Sequence, residues 1–194
     1  MPRTRARTST AVAAALLCCT VLVSCENSNP APAPVPSESS AASGSASESP
    51  SPSATPPTLP AVAKGTSEKS AKAFTKHYFA TLNHAIATGD VDSLRRLATT
   101  NCESCANFGA RLGKIYQGGG HIRSEGWAIR SVAPVVGQPT SRPILQLGMF
   151  LHPQQVLLRA NGREDDFDGG KQPMTMFLVR SDGQWKVNRL DLIV

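Results

Sequence analysis

The chain has 194 residues, five cysteines and a formal charge of +6, enough length for one domain with its own core. Arg3, Arg5 and Arg7 account for half of that charge; without the first 24 residues it falls from +6 to +3. The remaining basic residues are scattered, with no basic run and no aromatic–basic interleaving, so the composition argues against a nucleic-acid partner.

The three arginines form a positive n-region, and "AVAAALLCCTVLV" over residues 11–23 forms an apolar h-region. This is the layout of an export signal, and the apolar stretch is too short and wrongly flanked for a mature spanning helix. The stretch "LVSC", residues 22–25, resembles a bacterial lipobox. That resemblance implies that Cys25 receives a diacylglyceryl group on sulfur and becomes the first mature residue. Cys18 and Cys19 fit the role badly, because bulky Val21 and Leu22 follow them. Two acyl chains, at about 0.8 kcal/mol per buried methylene, anchor a protein stably. The expected location is extracytoplasmic, on the cell membrane.

Residues 25–58 read as a tether. Beyond Cys25 they are almost all Ser, Pro, Ala, Glu, Thr, Asn and Gly, with Val35 the one branched aliphatic residue before Leu59. Such a composition cannot bury a core and is expected to be disordered. Extended at about 3.1 Å per residue, it reaches up to roughly 100 Å, and its Ser/Thr density with Pro permits O-glycosylation.

The folded domain is expected over residues 59–194. In "SEKSAKAFTKHYFATLNHAIATGD", Ala71, Phe74, Tyr78, Leu82, Ala85 and Ile86 share one helical face, with Lys69, Lys72, Lys76 and Asn83 opposite. Thr66 or Ser67 caps the start and Gly89 the end. A short helix follows in "DVDSLRRLAT", with Val91, Leu94 and Leu97 inward. A third, "CESCANFGARLGKIYQ", runs to the Gly118–Gly120 stop.

Five strands are then expected: "GWAIRSVAPVV", "PILQLGMFL", "QQVLLRAN", "MTMFLVR" and "QWKVNRLDLIV". Leu145, Leu147, Met149 and Leu151 alternate onto one face, and Val156, Leu158, Met174, Met176 and Leu178 also read as inward. "GREDDFDGGKQP" reads as a loop, and Ser181-Asp182-Gly183 as a hairpin turn. The expected class is α+β: three N-terminal helices packed on one curved antiparallel sheet of about five strands.

The order helix, "ATGDVDSLRRL", helix, then strands ending in "DGQWKVNRLDLIV" resembles the nuclear transport factor 2-like, cystatin-like cone superfamily over about residues 64–194. The lipobox and Ser/Pro tether, with "AKAFTKHYFATLNHAIATGD", "CESC" and "GWAI", resemble an uncharacterised domain of actinobacterial lipoproteins. The first resemblance implies a sheet curled around a conical cavity. The second implies an envelope location and no defined chemistry.

Cys102 and Cys105 stand at the start of the third helix, where Thr100 to Glu103 fits a capping box. A redox pair would exploit helix N-terminal amides, but such motifs follow a strand, and here a helix precedes. Zinc would need four ligands, and only one Cys-x-x-Cys pair exists, with no matching His spacing. A disulfide suits an exported chain and is the reading adopted: a local staple with modest chain-entropy gain. Glu164, Asp166, Asp168 and Gly169 match the front of a calcium loop, but Thr175 stands where its closing Glu is needed.

Tyr78, Tyr116, His121, Trp127 and Trp185 are placed to line a cavity, with Tyr78, Tyr116, His121 and Trp127 the leading candidates, and each also reads as a core or rim residue. No cofactor is expected. The favoured reading is a non-catalytic envelope module that binds a small apolar ligand or an envelope protein, with a homodimer through its sheet as a structural variant. The alternative is a cyclase- or isomerase-type enzyme using His121 or His77 as base.

Overall fold

The computed structural model describes residues 55–193. The expected export signal, Cys25 and most of the expected tether lie outside the described residues. Among the described residues, no helix is long and apolar enough to cross a membrane.

A 3-10 turn, Ala61–Lys64, comes first. Helix α1, Glu68–Thr88, starts where the Ser67 side chain accepts from the Ser70 amide and ends at Gly89, which is left-handed at φ 78°. Only glycine adopts that φ without strain, and a Cβ there would strike the Tyr116 ring at 2.5 Å. Helix α2, Val91–Arg95, is capped by Asp90. Helix α3, Glu103–Gln117, is capped by Cys102 itself, whose sulfur accepts from the Cys105 amide. The expected Thr100 capping box is therefore replaced, and Cys102 lies one residue before the first turn.

The single curved sheet of about five strands is overturned. Among the described residues, seven strands form two antiparallel sheets, and more residues lie in strands than in α-helices. Strands β1 (His121–Ser124), β4 (Gln154–Leu157) and β5 (Glu164–Phe167) make a three-stranded sheet in the order β1-β4-β5. Strands β2 (Trp127–Pro134), β3 (Ile144–Leu151), β6 (Gly170–Ser181) and β7 (Gln184–Leu192) make the other, in that order. Two of the expected strands were each half of a longer run. The expected loop at 162–173 contains β5 and the start of β6, and β1 was missed.

The physical reason lies at one line across the molecule. β1 and β2 part at Glu125 and Gly126, β3 and β4 at His152 and Pro153, and β5 and β6 at Asp168 and Gly169. Pro153 has no N–H for a ladder. Gly126 has φ +85°. A Cβ on Gly169 would meet the Leu151 carbonyl at 2.3 Å. Three neighbouring runs therefore bend at the same level, and pairing resumes in separate sheets beyond it.

α1 is fastened to this line by Asn83. Its Oδ1 accepts from the Trp127 amide at 2.8 Å, and its Nδ2 donates to the Trp127 carbonyl at 3.0 Å. A Cβ on Gly126 would stand 2.6 Å from the Asn83 carboxamide. Asn83 was expected on the outer face with the lysines; it is instead half-buried and serves as a substitute strand partner.

The core lies between α1 and the four-stranded sheet. Phe74, Tyr78 and Leu82 meet Leu145, Leu147, Met149, Met174, Met176 and Val187, all at 2 % exposure or less. Burying each such side chain contributes about 1.5–3 kcal/mol. Leu158 departs from expectation: β4 ends one residue earlier, and Leu158 is 55 % exposed. The outer edge of β7 is covered in part by the chain leaving α2, where the Val187 amide donates to Leu97 and its carbonyl accepts from Thr99, each at 2.9 Å. Covering an exposed edge in this way limits strand-to-strand association. Asp182 and Gly183, both at positive φ, form the β6–β7 turn.

Replacing Asn83 by Ala leaves both polar groups of Trp127 without a protein partner, and the expected cost is about 2 kcal/mol. Gly126→Ala is expected to cost about 1–3 kcal/mol through its positive φ. Urea unfolding checks both: a lower midpoint at unchanged slope is expected, and wild-type midpoints would show that the clamp is not structural.

Candidate functional site

Cys102 and Cys105 are joined by a disulfide, with Cα atoms 5.2 Å apart. Both are buried, at 0 % and 8 % exposure. The bond sits where the chain leaves the β7 edge and turns into α3. Next to it the Ser104 hydroxyl accepts from the Leu190 amide at 3.3 Å. The bond closes a local loop at the start of α3, and the Ser104 contact ties that start to β7.

The four aromatic and histidine candidates are dispersed. Tyr78 is 1 % exposed, edge-on to Phe79 at 5.5 Å, and its burial drives the phenol pKa upward. Trp127 stands between Phe79, at 6.3 Å, and Phe108, at 5.6 Å. Its buried indole N–H, like that of Trp185, has no hydrogen-bond partner among the described residues.

Tyr116 is a latch. Its hydroxyl donates to the Ile86 carbonyl and accepts from the Ile122 amide, tying α3 to the end of α1 and to β1. Burial raises its pKa, against the opposing bond from Ile122. His121 lies on the three-stranded sheet, its Nε2 3.2 Å from Glu164 Oε1, an oxygen that also accepts from Arg123 at 2.7 Å.

The residues read as the front of a calcium loop are otherwise engaged. Glu164–Phe167 is strand β5, Glu164 is paired as above, and Asp166 accepts from Gln155 at 3.2 Å. Among the described residues, no three His, Cys, Asp or Glu side chains are placed to hold a metal ion together.

Among the described residues, grooves open on the outside, and two bear on the candidate residues. One, of about 530 Å³, crosses the bend of the three-stranded sheet and is lined mainly by polar and charged residues, with His152 Nδ1 3.0 Å from Glu125 Oε2 beside Asp166 and Asp168. The other, of about 740 Å³, lies between the outer face of α1 and residues 57–62. It includes His77, which sequence reasoning singled out as a base, and Lys69, Lys72 and Lys76. Neither groove is lined by Tyr78, Tyr116 or Trp127, nor by His121. The outer groove was not legible in the sequence, because its second wall comes from residues expected to belong to the tether and its junction.

His77 is 7 % exposed and its pKa is lowered, because burial penalises the imidazolium. A folded-state pKa below the ordinary 6.5 means that the unfolded chain binds the extra proton first. Stability is therefore full above 6.5 and declines as pH falls from there through the lower folded value. His77→Gln is expected to flatten that decline in urea midpoints measured between pH 8 and pH 5; an unchanged decline would place it elsewhere. At the cysteines, the tryptic peptide over residues 97–111 of unreduced, exported protein is expected to be about 2 Da light and inert to alkylation. A full-mass peptide that alkylates twice would overturn the bond.

No functionally curated protein matches the chain. Several solved structures overlap it at low identity. The intermembrane-space region of the chloroplast protein ARC6 does so with a TM-score of 0.44 and 12 % identity over 65 % of this chain and 95 % of that one. A function-unknown protein from Mycobacterium tuberculosis gives a TM-score of 0.41 and 14 % identity over 63 % and 68 %. An uncharacterised protein with a cystatin-like fold from Caulobacter vibrioides gives 0.38 and 12 % over 67 % and 92 %. Overlaps of this kind assign no function. Residues 44–191 match the model of a family of unknown function, DUF6318, and the chain belongs to that family.

Proposed function

We propose that this chain is an extracytoplasmic lipoprotein, anchored through a diacylglyceryl group on Cys25, whose folded domain is a binding module of the cell envelope. The observation that carries the module reading is the filled interior. The space between α1 and the four-stranded sheet is occupied by side chains at 2 % exposure or less, and the two grooves lie outside it. A domain with a packed centre and grooved exterior meets its ligands on its surface. The anchor reading rests on the arginine-rich n-region, the apolar h-region and "LVSC".

The histidines named for the enzyme alternative sit outside that interior. His121 is held by Glu164 on the three-stranded sheet, and His77 borders the outer groove of α1. A general base must lie within hydrogen-bond reach of the proton it removes from an enclosed substrate, and these positions give the alternative no support.

Metabolic labelling with a palmitate analogue in an exporting bacterial host tests the anchor. The wild-type chain is expected to carry label and to sediment with membranes, as is the Cys18→Ser, Cys19→Ser chain. Cys25→Ser is expected to lose the label. Label that persists in Cys25→Ser would overturn the anchor.

A further inference from the structure

The outer groove of α1 combines two features that call for a particular ligand. Its walls are mostly apolar. Pro57, Pro60 and Val62 form one side, and Val62 is 43 % exposed although the adjacent Ala63 is buried. Ala73, His77 and Ala80 form the other, at i, i+4 and i+7 along α1, and therefore on one face. The volume, about 740 Å³, falls among those of small-molecule sites, about 300–1,000 Å³.

The second feature is charge. Lys69, Lys72 and Lys76 also line the groove. Lys72 is neutralised by Glu68 at 2.6 Å. Lys69 and Lys76 are exposed, and no acid among the described residues forms an ion pair with either. Two unneutralised ammonium groups thus border an apolar trough.

This combination selects among occupants. A neutral apolar molecule would leave the lysines unused. An extended acidic peptide would need backbone partners, but Pro57 and Pro60 carry no N–H and α1 uses its interior backbone groups within the helix. A molecule with one apolar chain and one anionic end meets both demands at once: the chain covers apolar wall, and the anion sits at the lysine rim. We propose that this groove binds a single-chain anionic amphiphile of the fatty-acid class, its carboxylate at Lys69 and Lys76 and its chain between Val62 and Ala80. The proposal rests on reading the domain as a binding module and does not depend on the anchor at Cys25.

The test uses the full-length protein in phosphatidylcholine vesicles, a photoreactive dodecanoate, and the alcohol of the same chain length with the same photoreactive group. Dodecanoate is expected to label peptides within residues 57–80 about tenfold more than the alcohol does. Lys69→Glu with Lys76→Glu is expected to abolish that preference, since two exposed charge contacts together amount to an effect of up to about thirtyfold. Both positions are exposed, and an unchanged circular-dichroism melt would confirm that the variant folds. Equal labelling by acid and alcohol, or labelling insensitive to the charge reversal, would overturn the proposal. Labelling confined to another face would overturn this site while leaving the module reading in place. Competition by a glutamate-rich peptide as strong as that by unlabelled dodecanoate would replace the amphiphile with an acidic protein partner.

Discussion

The carboxamide of Asn83 satisfies both backbone polar groups of Trp127, and much of the architecture depends on that pair. Trp127 opens β2 at the line where the strand runs bend, so its N–H and C=O would otherwise lack a partner on the helix side. Leaving such groups unpaired in a partly buried place costs about 1 kcal/mol each. The contact demands close approach, and Gly126, with no side chain and a positive φ, allows it. Once α1 is fixed there, its apolar face is aligned over β3 and β6, and the core closes between them.

The same arrangement explains why functional surface lies outside. α1 is long enough, at 21 residues, to cover the inner face of the four-stranded sheet, and its large side chains fill the space. The opposite face of α1 is left to the chain that runs into it. A 3-10 turn and two prolines cannot lie flat along a helix, so a trough remains where they cross. Tyr116 and Ser104 do comparable work at the other end, tying α3 to α1, β1 and β7, and the Cys102–Cys105 bond staples the start of α3 locally. Residues that look like chemistry in isolation thus serve as fasteners, and the trough is formed by residues with no chemical signature.

Much of the helical part was legible. The 3.6-residue pattern from Ala71 to Ile86 marked the buried face of α1, Gly89 marked its end, and the start was narrowed to Thr66 or Ser67, of which Ser67 is the cap, because caps are local devices. The Asp182-Gly183 turn was legible for the same reason. The division into two sheets was not. It arises from coincident breaks at Gly126, Pro153 and Gly169 on three different runs, and only strand register reveals that they share a level. Asn83 was misread because a polar residue in a helix is ordinarily solvated. Its partner is 44 residues away, and the sequence marks no such pairing. The partners of Tyr116 and His121 were not legible for a related reason: residue type suggests chemistry, whereas the neighbour across the fold decides the contact.

By itself the sequence determined what depends on neighbours in the chain: the charge layout and apolar run of the N-terminus, the composition of the tether, the helix faces and caps, the hairpin turn and the Cys-x-x-Cys spacing. Those are properties of a few consecutive residues and survive without knowledge of the rest. Tertiary structure alone decided where the sheet divides, which polar groups clamp it, that the centre is filled, and that lysines and prolines from separate segments border one groove. Each of these requires residues distant in the chain to meet, and chain-local patterns carry no record of which distant residues do so.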